Sequence, residues 1–131
     1  MRCVARALLL VAVLIVAGCS LFRDPRVSVA EIVRITAPDT VRAGTTFNVT
    51  ATAVLGYLGC AVYDHCDVTR TSFFLELRAW TRDINKGVAY PCVTISKDLT
   101  FSVGPVEQDE FRVIAHQPDG STTQKTITVL P

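Results

Sequence analysis

Two hydrophobic patterns divide the chain. Residues 7–17 (ALLLVAVLIVA) form one unbroken apolar run. From residue 29 onward, apolar and polar positions alternate in short stretches punctuated by turn residues. A period of two marks a strand with one buried face. Residues 30–36 predict a first strand stopped by Pro38-Asp39, and residues 41–44 a turn. Phe47, Val49, Ala51 and Ala53 alternate with Asn48, Thr50 and Thr52. Phe73, Leu75, Leu77 and Ala79 alternate with Phe74, Glu76, Arg78 and Trp80. Residues 82–87 are polar and turn-rich, and short apolar pieces follow at 88–95 and 99–103. Phe111, Val113 and Ala115 alternate with Arg112, Ile114 and His116. Pro118-Asp119-Gly120 is a turn signal, because proline fixes φ and glycine tolerates φ > 0. Residues 123–130 close the chain with β-branched side chains. No apolar stripe of helical period occurs after the first run. The pattern predicts an all-β fold, a single antiparallel β-sandwich of about seven strands.

The opening run has a different meaning. Arg2 and Arg6 precede it with no acid nearby, and it is too short to span a bilayer, which takes about 20 apolar residues. It ends in Val16-Ala17-Gly18-Cys19, which resembles the lipobox of bacterial lipoproteins. Small side chains let the scissile peptide into a signal peptidase, and a thiol accepts the diacylglyceryl group. The resemblance implies a cleaved signal helix over residues 1–18 and a mature protein that begins at lipidated Cys19, carrying palmitate-type acyl chains. Two or more chains make a stable anchor where one does not. Ser20 rather than an aspartate follows the cysteine, so the sorting rule of such lipoproteins implies the outer membrane where the host has two membranes. Residues 19–28 carry charges and a proline and read as a tether. The nine residues after Cys19, fully extended, reach at most ~30 Å. The folded domain is expected over residues 29–131.

Within that domain, residues 32–49 (IVRITAPDTVRAGTTFNV) resemble the opening of bacterial immunoglobulin-like domains, and residues 111–129 resemble their final hairpin. The resemblance implies an immunoglobulin-like sandwich. Such domains often carry a tyrosine near the start of the penultimate strand, where this chain has Phe111, so a hydroxyl-based corner is not available there.

Charge narrows the function. The chain of 131 residues holds 13 basic and 12 acidic side chains. Both Arg2 and Arg6 leave with the signal, whereas every acid stays. No basic stripe for nucleic acid results. Membrane contact is expected through the lipid alone, from a monomer.

Cysteines are the remaining chemistry. Cys60, Cys66 and Cys92 follow Cys19, and an exported compartment favours disulfides. Three thiols leave one pair and one remainder. Likeness to lipoproteins with such domains implies Cys60–Cys92; Cys66–Cys92 and Cys60–Cys66 stay open as alternatives. A zinc site from Cys60, His65, Cys66 and Cys92 lacks the close Cys-x(2–4)-Cys pair and would need adjacent strand residues as ligands. A thiol nucleophile at Cys66 would sit between Asp64 and Asp67, whose charges oppose thiolate formation. His65 and His116 read as solvated residues. No metal, cofactor or catalytic residue is therefore expected. Residues 55–71 read as one long loop carrying Tyr57, Leu58, Val62 and Tyr63, and its tip, Tyr63-Asp64-His65, is the expected partner contact. Glu76 and Arg78, with Phe74, share one strand face and read first as cross-strand ion pairs. The function these features point to is a lipid-anchored binding or structural module of the cell envelope, its partner an envelope protein or glycan that the sequence does not name. An inhibitor that offers residues 56–70 to an envelope hydrolase is the alternative.

Overall fold

A computed structural model describes residues 26–57, 61–84 and 93–131. The expected signal segment, Cys19 and most of the expected tether lie outside them. Nine strands occur among the described residues: β1 (Val27–Val29), β2 (Glu31–Thr36), β3 (Thr40–Arg42), β4 (Phe47–Tyr57), β5 (Ala61–Arg70), β6 (Phe74–Asp83), β7 (Thr94–Val103), β8 (Glu110–His116) and β9 (Thr122–Leu130). They form two sheets, as a β-sandwich requires. The smaller has the order β2-β4-β7; the larger has the order β1-β6-β8-β9-β3, with β5 also on β6.

The expected alternations face the core. Val49, Ala51, Ala53 and Leu55 of β4 oppose Leu75, Leu77 and Ala79 of β6 and Phe111, Val113 and Ala115 of β8, all buried. Buried alanines set among leucines and Phe111 give the small–large alternation that lets two sheets approach to ~10 Å. Phe47 meets Phe111 edge-on, with centroids 5.8 Å apart. Phe73 departs from its expected inward place: β6 begins one residue later, and Phe73 is exposed in the turn before it.

Four expectations need correction. The described residues hold nine strands rather than seven: β1, β3 and β5 are added, β3 overlapping the expected turn at 41–44 and lying at the edge of β9, while the piece at 99–103 and the end of that at 88–95 belong to the single strand β7. The sheets are not wholly antiparallel: β3 runs parallel to β9, and β6 parallel to β8. The expected loop at 55–71 is largely strand: β4 continues to Tyr57, and residues 61–70 pair antiparallel with β6. Val27 and Ser28, placed in the tether, pair with Arg82 and Thr81 of β6. The β5–β6 hairpin explains the parallel pair. Its first strand occupies the sheet edge, so the returning strand β6 lies inside, beside β8 and in the same direction.

The two sheets are also joined by one side chain. Gln117, after β8, accepts a hydrogen bond from Ile32 N–H (3.0 Å) and donates to the Ile32 carbonyl (2.9 Å). Its second amide proton goes to Thr123 Oγ1 (2.7 Å). A primary amide thus takes the place of a peptide unit on the outer edge of β2, next to the bulge between Ile32 and Arg34.

Candidate functional site

The outward face of the larger sheet gathers most of the polar chemistry. On β6, Leu75, Leu77, Ala79 and Thr81 are buried, so Phe74, Glu76, Arg78, Trp80 and Arg82 face out. β5 is less regular. Tyr63 pairs with Thr81 and His65 with Trp80, which leaves Asp64 as the extra residue of a bulge. Before the bulge, Tyr63 faces inward; after it, Cys66 does. His65 and Asp67 therefore join Trp80 and Arg78 outside. From β8, His116 completes the group.

Asp64 links two neighbours. It accepts from Arg82 Nε at 2.7 Å and from His65 Nδ1 at 2.6 Å. These bonds, that from Arg82 first, hold its carboxyl below the usual carboxylate range. His65 stacks beside Trp80, with centroids 5.8 Å apart and rings 15° from parallel. Trp80 Nε1 donates to Asp67 Oδ2 at 2.8 Å. His65 Nδ1 is turned to Asp64, and its Nε2 lies 3.7 Å from Asp67 Oδ1. At that separation no direct hydrogen bond joins the two side chains.

In the second half of the group the His116 ring is held at both nitrogens. Arg78 Nη2 lies 3.3 Å from His116 Nδ1. Guanidinium only donates, so Nδ1 is the acceptor and the ring proton sits on Nε2, directed at Glu76. Neither nitrogen of His116 is left to act as a base. Asp67, Thr69, Glu76, Leu77, Arg78 and His116 line a groove of about 170 Å³ between these clusters.

The expected contact tip is split by this geometry. Tyr63 packs against the core and lies 4.7 Å under Lys97 Nζ, whereas Asp64 and His65 belong to the outer network. Burial pushes the Tyr63 hydroxyl above its usual range. Both histidines lie on strands and carry partners, against their reading as simply solvated residues. Cys66 carries a free thiol that points to the opposite side of β5 from His65, so no Cys–His pair forms. Burial raises that thiol, and the Asp67 charge acts in the same direction. Cys60 and Cys92 lie outside the described residues, and with them the expected disulfide and half of the zinc set. Among the described residues, no three His, Cys, Asp or Glu side chains are grouped to hold a metal ion. No helix among them is long and apolar enough to cross a membrane.

The sequence places Glu76 and Arg78 on one face but does not join them to His116, which is 40 residues from Glu76 along the chain. The parallel β6–β8 pairing that unites them leaves no local signal. No family model matches this chain, and neither the curated proteins nor the solved structures searched contain a match.

Proposed function

We propose that this chain is a lipid-anchored recognition module of the bacterial cell envelope, built on a variant immunoglobulin-like sandwich. The observation that carries this reading is the outer face of β5, β6 and β8. There, Asp64, His65, Asp67, Glu76, Arg78, Trp80 and His116 are held by one another on regular strands. Side chains fixed in advance lose little freedom on binding, which favours recognition of a partner. The sandwich likeness is supported by the β2-β4-β7 order and the β8–β9 hairpin with β3 alongside, and the inward position of β6 is the variation. The anchor reading rests on Val16-Ala17-Gly18-Cys19. The described chain enters at the far end of β6, where Asp83 N–H donates to the Arg26 carbonyl. An anchor at Cys19 would thus hold that end of the sandwich toward the membrane, with the turn of residues 71–73 away from it.

The test has two arms. Cys19→Ser should abolish partition into detergent and release the protein from membranes. The released protein should still sediment with purified envelope fragments, and Trp80→Ala with His65→Ala should remove that sedimentation while thermal unfolding stays cooperative. Membrane retention of Cys19→Ser, or sedimentation indifferent to the double substitution, would overturn the corresponding half of the reading.

A further inference from the structure

We infer that the groove beside His65 and Trp80 takes an uncharged, hydroxyl-rich ligand, a chain of neutral sugar units. The inference rests on the recognition reading above and names the chemistry of its ligand.

Three observations converge on it. First, the charges nearly balance. Asp64, Asp67 and Glu76 stand with Arg78 and Arg82 on one face, and Asp64 is already bonded to Arg82. A strongly charged ligand would meet a like charge beside every opposite one. A neutral ligand with many hydroxyls meets only hydrogen-bond partners, since each hydroxyl both donates and accepts. Second, the valences left over have that dual character. Asp67 Oδ1 lies 3.7 Å from His65 Nε2, too far for a hydrogen bond between them, and is placed to accept from a ligand hydroxyl. Thr69 adds a hydroxyl on the groove wall, and Arg78 has N–H donors beyond the one directed at His116. Third, apolar and polar surfaces lie side by side. The His65–Trp80 pair borders the groove through the Trp80 Nε1–Asp67 bond and sets an aromatic shelf beside its polar wall. The groove of about 170 Å³ has the volume of about five or six waters, space for a single ring of a longer chain.

The chain has one tryptophan, so its fluorescence reports on this shelf directly. The detergent-solubilised full chain is titrated with chitotetraose, with cellotetraose and, separately, with tetralysine. A saturable change in Trp80 emission with either oligosaccharide is expected. Asp67→Asn and Thr69→Ala should each weaken it, Asp67→Asn by about tenfold or more. Gln124→Ala, on the same sheet face over β9, should leave it unchanged. The inference is overturned by a response to tetralysine alone, by silence toward all three probes, or by oligosaccharide binding that both groove substitutions leave intact. Silence combined with persistent, Trp80-dependent sedimentation on envelope fragments removes the sugar and keeps the recognition module. Loss of both removes both.

Discussion

Replacing Gln117 with alanine tests how the two sheets are held together. The substitution deletes the bonds to Ile32 N–H and C=O, at 3.0 and 2.9 Å, and the donor to Thr123. Thr123 is exposed and rehydrates, so its loss counts for little. Ile32 is buried as a residue, and each of its two backbone bonds contributes about 1 kcal/mol net, giving about 2 kcal/mol in all. A full desolvation penalty is not added. An open groove of about 530 Å³, lined by Glu31, Ile32, Val33 and Gln117 among others, lets water reach the vacated groups. For a domain of this size the loss corresponds to a fall in melting temperature of about 8–16 °C. Urea titration gives the free energy, and amide exchange at Ile32 gives the location. Gln117→Glu sharpens the test. Its carboxylate still accepts from Ile32 N–H but faces the Ile32 carbonyl without a proton. It should destabilise at pH 7 at least as much as alanine, and less so relative to the parent at pH 4.5, as the carboxyl regains a donor. A change below about 0.5 kcal/mol for Gln117→Ala, with Ile32 exchange unaltered, would refute the clamp.

Two further outcomes follow from the same geometry. Asp39, Asp64 and Asp119 all have carboxyls held below their ordinary range, by Lys125, by Arg82 and His65, and by Ser121 respectively. A depressed folded value means stability present above the unfolded carboxylate pKa, about 3.9, and lost as pH falls through the folded value; urea midpoints should therefore drop below about pH 4, less steeply in Lys125→Ala, and a main loss between pH 6 and 8 would contradict this. Gly104→Ala should destabilise by about 2–4 kcal/mol in thermal unfolding, because φ is +126° and a Cβ would lie 2.6 Å from the Thr45 carbonyl oxygen; Gly120→Ala, with φ +85° and no atom within 4 Å, should cost only about 1 kcal/mol, and equal losses at the two sites would show that the close approach is unimportant.

Period two was readable wherever a strand keeps one face in the core without interruption. β4, β6 and β8 are of this kind, and their inward residues Val49, Ala51, Ala53, Leu75, Leu77, Ala79, Phe111, Val113 and Ala115 are all buried. β7 was half legible. Leu99 and Val103 are buried and were seen as part of an apolar piece, but Thr94–Asp98 is exposed at the sheet edge and carries no core signal. β3 was hidden by its length, since three residues beside Ala43-Gly44 look like the turn they lead into. The β5–β6 turn was hidden by its chemistry. Thr71 Oγ1 accepts from both Phe73 N–H and Phe74 N–H, so a threonine closes a hairpin where glycine, proline or asparagine would have announced it.

β5 was missed for a reason that also bears on function. Its inward residues are Tyr63 before the bulge and Cys66 after it, so the apolar positions fall on odd numbers and then on even ones. Read as one stretch, they have no period. Were Asp64 paired in regular alternation instead of bulged, His65 would take the inward side and Cys66 the outward one, since a one-residue slip exchanges the two faces of a strand. With it, His65 and Asp67 stand beside Trp80 and Arg78, and Asp64 reaches both Arg82 and His65. A bulge on an edge strand also discourages pairing with a further strand, which an exposed ten-residue edge would otherwise invite. One inserted residue thus erases the sequence signal of the strand, guards its open edge and assembles the outer cluster. Sites built on bulged edge strands are for that reason among the least visible to pattern reading, and in this chain the irregular strand is the one that carries His65 and Asp67.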